Sequence, residues 1–139
     1  MTDKAACLTG GCLCGAVRYE LTAPPPGASY CHCRMCRKAT GGPFAVFADL
    51  KADTFRVTQG TLAVHPSSRV AERGFCADCG SPLTFRYLDS QWISVTIGSL
   101  DDPDAVPPTE HAGIESQLAW VQVDDGLPRS ETTLDPAKL

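Results

Sequence analysis

Along most of the chain, apolar and polar residues alternate with a period of two. Val17, Tyr19 and Leu21 alternate with Ala16, Arg18 and Glu20, the pattern of a half-buried strand that begins near Gly10. Thr22 to Gly27 holds Pro24, Pro25 and Pro26 and must be an exposed connection. Further short strands are expected over Ser29–Cys33, Phe44–Ala48, Phe55–Thr58 and Thr61–His65, with a turn at Gln59-Gly60, and Val70–Phe75 leads into a cysteine knuckle. Pro82–Tyr87 follows, with Leu83, Phe85 and Tyr87 on one face. Trp92–Leu100 alternates Trp92, Ser94 and Thr96 against Ile93, Val95 and Ile97. Leu118–Val123, carrying Trp120, reads as the last strand.

Helical signals are sparse. Arg34–Thr40 can make one helical turn, stopped by Gly41-Gly42-Pro43, and no longer stretch has the amphipathic repeat of a helix. The pattern predicts an all-β chain of several small antiparallel sheets. Asp101–Pro108 reads as a loop, residues 1–8 as a loose terminus, and the tail after Gly126 as polar and mobile. No repeat or boundary divides the chain, so a single domain over 1–139 is expected, with its core over about residues 10–127.

Composition narrows the function classes. With 12 Lys+Arg against 16 Asp+Glu, the net charge is −4, a poor basis for gripping a phosphate backbone, and no nucleic-acid partner is expected. The longest apolar run, Phe44–Ala48, is far short of a membrane span, so no membrane partner is expected either. Met1-Thr2-Asp3-Lys4 opens no signal peptide, which points to the cytoplasm.

The unusual quantity is cysteine, 8 of 139 residues. In a reducing compartment, clustered thiols are metal ligands or catalysts more often than disulfides. Cys12-x-Cys14 and Cys31-x-Cys33 place thiols two apart, on one face of an extended chain. Cys76-Ala-Asp-Cys79-Gly80 is a knuckle whose glycine can take a positive φ. Two pairs make four, so Cys12, Cys14, Cys76 and Cys79 can close a structural zinc site. Cys31, Cys33 and Cys36 then form a trio with one position open, the way catalytic zinc is held. Two rivals stand beside this: four disulfides, or a wholly structural second metal completed by Cys7 or His32. If Cys31 and Cys33 share a face, however, His32 points to the other. Cys7 has no assigned role.

The runs Gly10-Gly11-Cys12-Leu13-Cys14-Gly15-Ala16-Val17-Arg18-Tyr19, Cys31-His32-Cys33-Arg34-Met35-Cys36-Arg37-Lys38 with Gly41-Gly42-Pro43-Phe44, and Phe75-Cys76-Ala77-Asp78-Cys79-Gly80 resemble the glutathione-dependent formaldehyde-activating (Gfa) family, also called centromere-protein-V-like. Glu110-His111 to Trp120 resembles its closing segment. The resemblance implies an Mss4-like β-tent with two zinc ions, structural at Cys12, Cys14, Cys76 and Cys79 and catalytic at Cys31, Cys33 and Cys36. It also implies carbon–sulfur lyase chemistry, the reversible condensation of glutathione with formaldehyde to S-(hydroxymethyl)glutathione.

Three thiolates on Zn²⁺ leave a soft open position that an incoming thiol can fill and lose its proton to. Water could take it instead, but the anionic ligand set makes a weak Lewis acid, which favours sulfur chemistry. Arg34, Arg37 and Lys38 surround the trio. Arg37 and Lys38 in particular could grip substrate carboxylates, although exposed charges are usually just solvated. His65 and His111 could be second-layer donors, and Phe44, Phe47 and Trp92 could line a pocket, though strand aromatics more often fill a core. Asp101–Asp104 lacks calcium-loop spacing. The competing functional class is a non-catalytic binding or chaperone module that uses zinc only for stability.

Overall fold

The computed structural model describes residues 8–132. The strands are β1 (Leu8–Gly11), β2 (Arg18–Leu21), β3 (Gly27–Cys31), β4 (Ala45–Lys51), β5 (Phe55–Gln59), β6 (Ala63–Pro66), β7 (Ala71–Phe75), β8 (Pro82–Tyr87), β9 (Trp92–Thr96) and β10 (Glu110–Ala112), with helix α1 (Arg34–Thr40) between β3 and β4. They form a three-stranded sheet in the order β1-β2-β5 and a seven-stranded sheet in the order β10-β3-β4-β9-β8-β7-β6. The all-β expectation holds. Cys7 lies outside the described residues.

Alternation explains how the sheets pack. Tyr19 and Leu21 of β2 face the large sheet, where Ala48 and Leu50 of β4, Ile93 and Val95 of β9 and Leu83 of β8 complete a buried core. The opposite face of the large sheet carries a second, small cluster. There Cys36, Ala45 and Phe47 are buried, with Cys31, Cys33 and Phe85 packed around them. The main core therefore holds the two sheets together, while the far face is left for α1 and the trio.

α1 spans the residues expected of it, and Gly41 ends it at φ 82, donating its N–H to the Arg37 carbonyl at 2.7 Å. Five other expectations need correction. The two strands around Gln59-Gly60 do not pair with each other: β5 pairs with β2 and β6 with β7, so Gly60 carries the chain from one sheet to the other. Leu83, Phe85 and Tyr87 do not share a face. Gly74 is opposite Thr84 but Phe75 is opposite Pro82, a bulge that leaves Leu83 unpaired and turns it into the main core. The strand begun at Ser29 ends at Cys31, because Cys33 is already the N-cap of α1.

No strand forms at Leu118–Val123. Trp120 is 71% exposed, and only Val121 of that stretch is buried. The last strand is instead β10, which runs parallel to β3. Finally, the tail is tied down over its first part. The His111 N–H donates to the Pro128 carbonyl, and the Ser130 N–H donates to the His111 carbonyl, both at 2.9 Å.

Candidate metal centres and the cleft beside them

The first thiol cluster is built by two knuckles of the same design. In one, the Gly15 N–H donates to the Cys12 carbonyl and the Cys12 N–H to that of Val17. In the other, the Gly80 N–H donates to the Cys76 carbonyl and the Cys76 N–H to that of Ser81. Gly15 and Gly80 both sit at φ 81, the conformation that turns each loop back and that favours glycine. The Leu13 N–H donates to the Ser81 hydroxyl at 3.0 Å and clips the knuckles together.

Four sulfurs converge as a result, those of Cys12, Cys14, Cys76 and Cys79, all within 4.8 Å of one another. Cys12 Sγ is 3.6 Å from Cys14 Sγ, which is 3.8 Å from Cys76 Sγ. A tetrahedral zinc with Zn–S bonds of about 2.3 Å has sulfur–sulfur edges of about 3.8 Å, so the quartet matches the size of a closed four-thiolate site. Two of its donors are held towards the charged form, whereas Cys14 is pushed up to about 12. The Val17 N–H donates to Cys12 Sγ at 3.3 Å and lowers that thiol's pKa. The Ser81 hydroxyl and amide pull Cys79 down to about 5.

The second cluster is more local. β3 ends at Cys31, and the chain turns through His32 to Cys33 at the N-cap. Cys36 follows in the first turn of α1, and its N–H donates to Cys33 Sγ at 3.3 Å. Cys31 Sγ lies 3.4 Å from Cys33 Sγ and 3.1 Å from Cys36 Sγ. Hydrogen bonds from Cys31 and Cys36 hold Cys33 as a thiolate, with a pKa lowered to about 2, while the two neighbouring sulfurs push Cys31 up. Among the described residues, no fourth His, Cys, Asp or Glu donor joins these three. His32 is fully buried on the opposite side, its Nε2 2.9 Å from Nδ1 of His111. The described cysteines are free thiols, which removes the disulfide reading for them. Both clusters can hold a metal ion.

The trio opens into a cleft of about 1090 Å³ along the far face of the large sheet. Arg73 of β7 lines it, with the guanidinium carbon 4.7 Å from the Phe85 ring centroid and Nη2 3.9 Å from Cys36 Sγ. Gly113 closes one side. It sits at φ 66, and a Cβ there would meet the Cys33 nitrogen at 2.7 Å, so glycine lets β10 pass directly over the trio.

The sequence-predicted contacts separate cleanly. Arg34 and Lys38 line the cleft, as do His65 and Phe47. Arg37 does not; its Nε is buried with no hydrogen-bond partner. Trp92 is 44% exposed and lies outside both the core and the cleft. Phe44 packs against Tyr30 and His32, away from the cleft. Sequence reasoning missed Arg73, Phe85 and Asp49. Arg73 could have been found from its place three residues before the second knuckle, but Phe85 and Asp49 reach the cleft only through strand register.

A β fold that gathers four sulfurs at one corner and three on the wall of a ligand-sized cleft defines a cysteine-rich protein with two sites able to bind metal. The chain belongs to the glutathione-dependent formaldehyde-activating enzyme family, whose model matches residues 7–116. It is 35% identical over 132 residues to a protein of Halomonas elongata named as a putative glutathione-dependent formaldehyde-activating enzyme, covering 84% of this chain and 81% of that one. It is 33% identical over 82 residues, 59% of each chain, to an uncharacterized lyase of Schizosaccharomyces pombe. A crystal structure of a Rhodobacter sphaeroides protein shares the fold, with a TM-score of 0.52 at 23% identity, covering 88% of this chain and 98% of that one.

Proposed function

We propose that the protein is a zinc-dependent carbon–sulfur lyase that adds formaldehyde or a related aldehyde to the thiol of glutathione or a similar small thiol, and reverses that addition. The observation that carries this reading is the difference between the two clusters: the quartet has a full tetrahedral set, whereas the trio has three donors and faces a cleft. The family membership and the names of the relatives support the same substrate class.

In this reading Cys12, Cys14, Cys76 and Cys79 hold a structural zinc, and Cys31, Cys33 and Cys36 hold the catalytic one. When bound at the trio, zinc supplies a positive centre that holds an incoming thiol and favours its thiolate. Arg73 offsets the negative charge of the three cysteines, since its guanidinium touches Cys36. Phe47 and Phe85 wall the site and keep water from the sulfur. Lys38 and Arg34 stand at the rim, where carboxylates of the thiol can pair with them. Because Arg37 does not line the cleft, that role falls to Lys38 and Arg34.

The chemistry balances simply. A carbon–sulfur bond forms between the thiol sulfur and the aldehyde carbon, and the carbonyl oxygen gains the proton that the sulfur loses. Holding both partners in the cleft turns a bimolecular encounter into a positioned one. Titrating the cobalt-loaded protein with glutathione tests the reading. The cobalt–sulfur charge-transfer bands of the trio should change as a new sulfur arrives, and bands that ignore glutathione would overturn it.

A further inference from the structure

The cleft has a far end, and strand register says what is there. Cys31 is paired with Ala45 across β3 and β4, and Asp49 lies four residues further along β4 on the same face. At about 3.3 Å per residue, this puts Asp49 about 13 Å along the strand from the row of Cys31. Asp49 lines the cleft and is half-buried there. Its hydrogen-bond partner is Ser94 on β9, whose hydroxyl donates to Oδ1 at 2.6 Å. The groups that act on its charge are Ser94 and Glu110, with no cation among them. Burial, with Glu110 nearby, raises its pKa, which marks a carboxylate lacking a positive neighbour. The other acids of the cleft, Asp89 and Glu131, are exposed, and water already solvates them.

The charges of the cleft are therefore divided. Arg34 and Lys38 of α1 and the guanidinium of Arg73, which reaches Cys36, gather at the trio, and one sheltered carboxylate stands away from them on β4, two strands across from Phe85. A zwitterionic thiol matches this division if its amine lies about a tripeptide's reach, roughly 10 Å, from its sulfur. Free cysteine or cysteamine cannot span it. We propose that Asp49, held by Ser94, is an ammonium-recognition subsite that selects thiols of tripeptide length bearing a distal amine. The proposal rests on the trio being the thiol site, and it adds a second anchor that fixes the other end of the ligand.

Four probes test it by binding to the cobalt-loaded protein, read both by calorimetry and by the cobalt–sulfur bands: glutathione, N-acetylglutathione, cysteine and N-acetylcysteine. Masking the amine of glutathione should weaken its binding about tenfold or more, the loss expected for a hydrogen bond between charged groups. Masking the amine of cysteine should change little. In Asp49→Asn, which keeps an acceptor for Ser94, glutathione and N-acetylglutathione should bind alike. Equal binding of the two glutathiones to the unaltered protein, a comparison needing no variant, overturns the proposal while leaving the trio as a thiol site. So does an acetylation penalty that persists in Asp49→Asn. Cobalt bands that respond to none of the four thiols overturn the thiol-site reading, and this subsite with it.

Discussion

Nε2 of His32 lies 2.9 Å from Nδ1 of His111, and both rings are fully buried. On its other side, Nε2 of His111 lies 2.9 Å from an Asp125 oxygen and holds that carboxyl below its ordinary range. The trio's own loop is thereby joined to the segment that follows β10. Nδ1 of His32 has no partner, so this network has nothing in reserve.

His111→Ala should thus cost about 2–3 kcal/mol, since it opens a cavity and leaves a second nitrogen of His32 unpaired. A denaturant unfolding curve measures this. The same variant should make residues 126–132 more open to protease, because it removes the side-chain contact that holds Asp125 at the start of this segment. A change under 0.5 kcal/mol would show that the histidine pair is incidental.

The two cysteine clusters should answer differently to serine. In Cys33→Ser the hydroxyl can still accept the Cys36 N–H, and serine is a strong N-cap, so α1 should persist while about one equivalent of metal is lost. Cys79→Ser opens the quartet that joins two distant knuckles, and the chain should unfold, because structural zinc binding is folding energy. Metal analysis beside circular dichroism separates the outcomes, and equal loss of fold in both would contradict the division of roles.

Two glycines with similar backbone angles make a matched pair. At Gly80 a Cβ meets nothing within 4 Å, so Gly80→Ala should cost only the left-handed strain of about 1 kcal/mol. At Gly113 the Cβ would press on Cys33, so Gly113→Ala should cost more and should also speed loss of metal from the trio to a chelator. Urea midpoints and chelator kinetics test both, and equal behaviour would mean that the contact over Cys33 does not matter.

Asp101 ties the loop after β9 to the three-stranded sheet. It accepts from the Thr9 hydroxyl at 2.6 Å and pairs with Arg18 at 2.5 Å. Arg18, then Thr9, lowers its pKa from 3.8 to about 2. A depressed folded-state pKa adds stability that is fully present above about pH 4 and disappears as pH falls towards 2. With 46% of the Asp101 side chain exposed, solvent screening limits the effect to about 1 kcal/mol or less. Asp101→Asn should lower stability at pH 7 by that amount and should flatten the loss between pH 4 and 2, as acid titrations of both proteins would show.

What could be read from the sequence follows the range of the interaction. α1 was legible to its ends because its stop signal, Gly41, is adjacent to it. The sorting of seven cysteines into four and three came from ligand number and spacing alone, and the sulfurs gather in that partition. Pairing was not legible. The alternation over Leu118–Val123 has strand character but no partner, whereas Glu110–Ala112, too short to show a period, becomes a strand because β3 offers it an edge. The bulge at Leu83 was hidden for the same reason: register is a property of two strands, and one strand's sequence records only half of it. Asp49 looked like an ordinary polar position until its neighbours across β3 and β9 were known.

The separation of the two knuckles has a consequence for biosynthesis. Cys7, Cys12, Cys14 and the whole trio leave the ribosome before Cys76 and Cys79, which follow about 40 residues after Cys36. At about 5–20 residues per second, the nascent chain, with Cys7 included, displays six thiols for some 2–8 seconds before the proper set of four can assemble. An ion captured in that interval has to settle on a provisional combination and be handed over later. Reversible metal–sulfur bonds permit such a handover, whereas oxidation during the same seconds would trap the chain with the wrong partners.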